Sequence, residues 1–284
     1  NTSGALAYAA ARLMAQHPEL RPEQISLAIT TADHRIGDAD LFRRTLDVAM
    51  RAAETRDALV TCGIVPTRPD TGFGYVEVVE GAAPVEGRDS DIPVYPVHTF
   101  REKPDLELAT QYAASGHHFW NSGMFFWTLG AFLAELDGAR PKLAQAVQAM
   151  AEAMARDDDA EVERIFEGIE NISIDYALME QAQRVLMVAG AFPWADVGAW
   201  PALVETHVAD AADNVLVGDS VVHEVTNSIV YNAVPGNEMA VGVVGVHNVA
   251  VVVTEDAVLV MPKDRAQEVR RVVDALKERG AGQL

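Results

Sequence analysis

Residues 25–64 read ISLAITTADHRIGDADLFRRTLDVAMRAAETRDALVTCGI, and this stretch decides the fold. The run Ile25-Ser-Leu-Ala-Ile-Thr-Thr31 lies between Pro22 and the polar Ala-Asp-His, the pattern of a buried strand. Residues 38–53 carry apolar side chains at helical spacing, and Ala58-Leu-Val-Thr-Cys-Gly-Ile64 reads as a second buried strand. Apolar strands joined by a helix make a βαβ unit, which implies parallel strands covered by helices. The expected class is α/β with a mostly parallel sheet. Asp33 then falls at the carboxyl end of a strand, where such sheets hold ligands.

Working outward, Thr71-Gly-Phe-Gly-Tyr75 is a loop leading into a strand over 75–79, and the polar stretch 81–93 reads as a surface hairpin tip. Val97-His-Thr-Phe-Arg101 is a strand stopped by Pro104, 105–115 is a helix, 121–127 a strand, and helices dominate 129–167. The acidic run 151–163 reads as a solvated face. From Asn214 the chain is rich in Val and punctuated by Asn and Gly, which predicts short strands in a small sheet or a few turns of β-helix, closed by a helix over 265–279. A boundary is expected near residue 208, giving domains 1–208 and 209–284. The many Val residues of the second are more than a small appendage buries alone, so part of that surface is expected on the first domain and part on a second copy, as a homodimer.

The 284 residues are enough for one large α/β domain with an appendage. A net charge of −20, from 22 Lys and Arg against 42 Asp and Glu, leaves no basic stripe for nucleic acid or an anionic membrane. Phosphate binding must therefore rest on a few local cations, a metal and backbone N–H groups. The single cysteine, Cys62, cannot form an internal disulfide and fits a reducing, cytoplasmic setting. Residues 5–15 lack the basic flank of a signal peptide and read as an amphipathic helix; no apolar run approaches the ~20 residues of a membrane span.

Three strings carry the chemistry: Phe100-Arg-Glu-Lys-Pro104, Trp120-Asn-Ser-Gly-Met-Phe125 and Trp194-Ala-Asp-Val-Gly-Ala-Trp200. Asp33 and Asp196 each follow an apolar strand and precede a turn. Either alone reads equally as a cap or as a ligand; together they favour Mg²⁺, which takes carboxylate oxygens along with substrate phosphates. Lys103, held extended before Pro104, offers a point charge to a phosphate. Glu102 and Asn121 offer partners for hydroxyls. The paired glycines around Gly74 allow close backbone approach, though such a pattern is weak alone. Trp194 and Trp200 read as packing. His34, His117 and His118 lack metal-ligand spacing with a Cys or a third His, so a zinc site is not expected. No Gly-x-Ser-x-Gly, Walker A or Gly-x-Gly-x-x-Gly appears.

Taken in order, Ala32-Asp-His34, Thr71-Gly-Phe-Gly-Tyr75, the three strings above, Ser173-Ile-Asp-Tyr-Ala177 and Ala257-Val-Leu-Val-Met-Pro262 resemble the mannose-1-phosphate guanylyltransferases of the sugar-phosphate nucleotidyltransferase family. The resemblance implies a Rossmann-like nucleotidyltransferase domain with a small β-helical C-terminal region that supports dimerisation. It implies the conversion of GTP and mannose 1-phosphate to GDP-mannose and pyrophosphate. By that pattern Asp33 and Asp196 hold Mg²⁺, Lys103 contacts the sugar phosphate, Glu102 and Asn121 bind the hexose, Gly74 lends backbone near the sugar, and Asp175 lies in the sugar pocket. The alternatives are another sugar-1-phosphate nucleotidylyltransferase and a non-catalytic sugar-nucleotide-binding regulator. Family members open with a Gly-Gly-x-Gly-x-Arg-x-x-Pro-x-Ser loop, which nothing in this sequence matches; the expectation is a piece of a longer protein.

Overall fold

The computed structural model describes residues 2–84, 92–198, 200–205 and 207–282. Most of the hairpin tip expected over 81–93 lies outside the described residues. The backbone divides into two compact units, residues 1–32 with 36–193, and residues 33–35 with 194–284.

In the first unit the helices are α1 (Thr2–Gln16), α2 (Ala39–Arg56), α3 (Leu106–Ser115), α4 (Leu129–Ala139), α5 (Pro141–Met154) and α6 (Asp159–Glu167). Its strands are β1 (Ser26–Ile29), β3 (Leu59–Ile64), β4 (Tyr75–Val78), β5 (Val94–Arg101), β6 (His118–Thr128) and β7 (Val185–Gly190); the two-residue strands β2 (Arg35–Ile36) and β8 (Trp194–Ala195) lie where the chain passes between units. The six long strands form one sheet in the order β1-β6-β3-β7-β5-β4, and β6 also pairs with β4.

The sheet is mixed, not mostly parallel. Among the described strands of this sheet only β3 and β7 pair in parallel; every other ladder in it is antiparallel. The βαβ unit is present, since β1 and β3 both run antiparallel to β6 and hence parallel to each other. Strand β6 lies between them, with Phe126 opposite both Ala28 and Val60. A βαβ pattern fixes the relative direction of its two strands but not whether another strand inserts.

Every residue of β3 is buried, which is why it reads as an unbroken apolar run. On one side of the sheet Trp127 stacks on Phe132 of α4, with ring centroids 5.1 Å apart. Helix α1 buries a face of small residues, Ser3, Gly4, Ala7, Ala10 and Ala11. Ser3 Oγ closes that face by donating to the Ile172 carbonyl at 2.6 Å. Asp38 caps α2 by accepting from Leu41 N, and Asp105 caps α3 by accepting from Leu108 N.

In the second unit β9 (Val215–Val217), β11 (Ile229–Asn232) and β13 (Val249–Val253) stack in parallel, as do β10 (Ser220–His223) and β12 (Val241–Val244). Strand β14 (Val258–Pro262) pairs antiparallel to β13, and the expected closing helix is a 3₁₀ turn followed by α7 (Val269–Glu278). Left-handed residues Asp213, Glu224, Asn227 and Asn248, with Gly218 and Gly245, turn the corners. At Gly218 a Cβ would overlap the Asn232 carbonyl. This is the β-helix-like texture read from the Val, Asn and Gly pattern. Val215, Ile229, Val251 and Val253 bury within their own coil, whereas Val221, Val258 and Val260 stay exposed. The unit thus covers its inner set itself. Trp200 and Leu203 pack with Val215 and Ile229, so residues 194–205 fold with the β-rich unit although the composition changes only near Asn214.

Candidate active site

Five of the residues singled out from sequence converge in the first unit. Strand β5 ends at Arg101 and delivers Glu102, whose carboxyl Oε1 lies 2.5 Å from Lys103 Nζ. Lys103 adopts φ +46°, a left-handed conformation instead of the extended one expected before proline. Such a conformation costs a non-glycine residue about 1–2 kcal/mol.

Glu102 is buried, and its Oε2 has no hydrogen-bond partner among the described residues. That oxygen lies against Gly74, where any Cβ would overlap it. Burial pushes the Glu102 carboxyl above the usual carboxylate range; Asp175 adds to the rise and Lys103 opposes it. The Asp175 carboxyl is also raised, again chiefly by burial, with its backbone hydrogen bond, Lys103, Asn121 and Ser173 pulling the other way.

Asn121 sits on β6 opposite Gly63, beside the bulge that interrupts the β3–β6 register. Its backbone N–H donates to the Gly74 carbonyl at 2.8 Å. Its Oδ1 accepts from Thr61 Oγ1 at 2.9 Å and from Gly123 N at 3.2 Å, and its Nδ2 donates to Asp175 Oδ1 at 3.0 Å. Gly123 reaches this position with φ +72°, which accounts for glycine in Trp-Asn-Ser-Gly-Met.

Two contributors escaped the sequence reading. Thr61 is a buried hydroxyl within β3, visible in the sequence only as a polar residue in an apolar run. Glu180 accepts from the Glu102 backbone N–H at 2.9 Å. It follows the π-helical turn Asp175–Met179, in which Glu180 N donates to Asp175 O at 3.0 Å, so that residues five apart are brought together. A 3.6-residue period gives no signal for that pairing.

Asp33 and Asp196 belong to the second unit. Asp33 is exposed and Asp196 half-buried. Both carboxylates act on His34, raising its pKa against the larger lowering by burial. His34 Nδ1 accepts from Trp194 Nε1 at 3.0 Å, so Trp194 does more than pack. Asp196 Oδ1 accepts from Gly198 N at 2.8 Å across Val197, which is held at φ +51°. A β-branched residue in that region is strained, and such strain gathers at functional sites. The oxygen-only donors of Asp33 and Asp196 fit a hard divalent cation.

Residues 1–213 match the family described as Nucleotidyl transferase, and residues 218–276 match the MannoseP isomerase/GMP-like beta-helix domain. The chain is 38% identical over 284 residues to mannose-1-phosphate guanylyltransferase of Escherichia coli (strain K12), covering 99% of this chain and 56% of that protein. It is 39% identical over 280 residues to mannose-1-phosphate guanylyltransferase of Klebsiella pneumoniae, covering 98% and 56%. The chain thus spans little more than half the length of these curated relatives. A solved structure described as mannose-1-phosphate geranyltransferase from Thermus thermophilus superposes with a TM-score of 0.78 at 33% identity, covering 98% of this chain and 75% of that one.

Proposed function

The chain belongs to the nucleotidyl transferase family, and from that premise we propose that the protein transfers a guanylyl group from GTP to mannose 1-phosphate, giving GDP-mannose and pyrophosphate. The observation that carries this reading is the set Gly74, Glu102, Lys103, Asn121 and Asp175, gathered in one unit from separate segments of the chain. An ammonium on a buried carboxylate, a fixed amide and a buried acceptor without a donor suit a ligand bearing both a phosphate and hydroxyls. Relatives named mannose-1-phosphate guanylyltransferase support the choice of sugar and base.

In the reaction a phosphate oxygen of the sugar phosphate attacks the α-phosphorus of GTP and pyrophosphate leaves, so positioning and charge neutralisation carry the step. Lys103 holds the attacking phosphate against repulsion. Glu102 Oε2 accepts a hexose hydroxyl, which satisfies its buried lone pairs, and Asn121 and Asp175 orient the ring. Asp33 and Asp196 would hold Mg²⁺, which would supply positive charge to offset that of a bound phosphate.

Among the described residues no helix is long and apolar enough to cross a membrane. Cys62 is a buried free thiol, its pKa pushed up to about 12 by burial, and is unreactive in consequence. A cytoplasmic homodimer, with part of the Val-rich surface on the second copy, is the setting we infer. The test of function is pyrophosphate release with a panel of nucleoside triphosphates and sugar phosphates. Turnover confined to GTP with mannose 1-phosphate is expected; faster turnover with another pair would overturn the substrate assignment.

A further inference from the structure

Away from the residues above, Glu77, His117 and His118 place one ligand atom each within 4.8 Å of one another. Sequence spacing gave no third ligand to the adjacent histidines; strand pairing supplies it, because Glu77 of β4 lies directly opposite His118 of β6.

The surroundings prepare all three groups. The Ser115 carbonyl can only accept, so His117 Nδ1, 3.1 Å away, carries the proton and leaves Nε2 bare. Ser115 Oγ donates its hydrogen to the Tyr112 carbonyl at 2.8 Å. Its contact with His118 Nδ1 at 2.7 Å fits that nitrogen as the donor, the tautomer in which Nε2 of His118 is bare as well. Tyr112 stacks on the His118 ring with centroids 4.1 Å apart, fixing its orientation. Glu77 Oε2 accepts from Thr99 Oγ1 at 2.5 Å, while Oε1 faces His117 Nε2 at 3.7 Å. Histidine ligands anchored through the other ring nitrogen to a carbonyl or hydroxyl are the usual second layer of a metal centre.

We propose that Glu77, His117 and His118 form a binding site for a first-row transition-metal cation, with Zn²⁺ as the representative ion and water in the remaining position. Two imidazole nitrogens and one carboxylate oxygen are a known donor set for Zn²⁺ and a poor one for Mg²⁺. Bonds of about 2.0–2.2 Å set tetrahedral ligand atoms about 3.3–3.6 Å apart, so groups now within 4.8 Å of one another would draw together by up to about 1.5 Å through side-chain rotation. The ion would clamp the end of the β4–β6 ladder whose other end is the Gly74 carbonyl to Asn121 N–H bond.

The plain alternative is an ion pair between protonated His117 and Glu77, and calorimetric titration of the chelator-dialysed full chain with Zn²⁺, in excess Mg²⁺, separates the two. One equivalent of Zn²⁺ is expected to bind and to raise the unfolding midpoint. His117→Gln and His118→Gln should each weaken binding at least ~10-fold, with Asp196→Asn leaving it unchanged. A second readout needs no variant: in the unmodified protein, Zn²⁺ should protect His117 and His118, but not the exposed His17, from acylation mapped by mass spectrometry. Absence of saturable binding, loss of binding in Asp196→Asn with retention in both histidine variants, or acylation of His117 and His118 at an undiminished rate would each overturn the site.

Discussion

Asn121 Nδ2 donates to Asp175 Oδ1 at 3.0 Å, joining strand β6 to a π-helical turn 54 positions later in the chain. Because Asn121 Oδ1 already accepts from Thr61 and Gly123, the amide has one orientation, and its donor end is directed at a carboxylate whose charged form burial disfavours. The bond therefore opposes the upward push of burial on the Asp175 carboxyl.

A pH dependence follows from Asp175 and Glu102. Both carboxyls titrate above the ordinary range in the folded chain, so between the unfolded and folded pKa values the folded state binds more protons. Stability contributed by these groups is fully present below that window and is lost as pH rises through it. Asp175→Asn, which keeps an acceptor for Asn121, should raise the calorimetric unfolding midpoint at neutral pH, and the gain should shrink as the pH falls to about 4. A midpoint lowered at neutral pH would contradict this.

Lys103→Ala should reduce kcat/KM for mannose 1-phosphate roughly 10- to 100-fold, the size of a lost charge-assisted hydrogen bond, and affect GTP less. Lys103→Gly should lose as much activity yet unfold at higher temperature than Lys103→Ala, since glycine adopts φ +46° without strain. Steady-state kinetics with each substrate varied in turn, beside thermal melts, separates charge from backbone. A larger effect on GTP would reverse the assignment of Lys103.

Gly74→Ala places a methyl group where Glu102 Oε2 lies. The obstructing atom is the end of a side chain, so the carboxylate should swing aside and the fold survive. The KM for the hexose phosphate should rise about 10-fold, as for loss of one good hydrogen bond. Circular dichroism and kinetics report the two parts; unchanged KM with a lowered melting point would mean that Gly74 serves packing only.

Asp196→Asn should remove most turnover while the melting point stays within about 1–2 °C, the effect of a substitution outside the core being small. An amide is a poorer ligand for Mg²⁺ than a carboxylate. Titrating activity against Mg²⁺ checks it: an unaltered dependence would remove Asp196 from the metal site.

For the oligomer, the exposed Val221, Val244, Val258 and Val260 of the second unit are the candidates for contact with a second copy. Sedimentation at micromolar concentration should give a dimer, and Val258→Lys with Val260→Lys should shift it toward monomer. A monomer without substitution would leave that surface as a cover of another kind.

Much of this was legible in the residues. The βαβ stretch, the helices beginning near Asp38 and Asp105, and the Asn- and Gly-cornered β-region follow from local rules, and five site residues lie in strings readable by eye. Sheet direction was not legible, because β6 inserts between β1 and β3 from more than 50 positions away and nothing local marks that. Lys103 departs from the pre-proline rule at φ +46°, in a segment whose Glu102 N–H is tied to the distant Glu180, a contact that local rules do not register. Glu180 and the partnership of Glu77 with His118 depend on a π turn and on cross-strand register, neither of which leaves a periodic trace.

The parallel stacking of β9, β11 and β13 makes this part of the second unit a ladder of repeats, each rung pairing in register with its neighbour. Its length is thus a free variable in whole steps. An added or deleted rung keeps Asn227 and Asn248 over their neighbours, whereas a change of a few residues within a rung throws every valine beyond it onto the wrong face. In descendants of this chain, length should vary in the β-rich unit by complete coils, while strand β6, which bears Asn121, and strand β5, which leads to Glu102, tolerate no insertion at all.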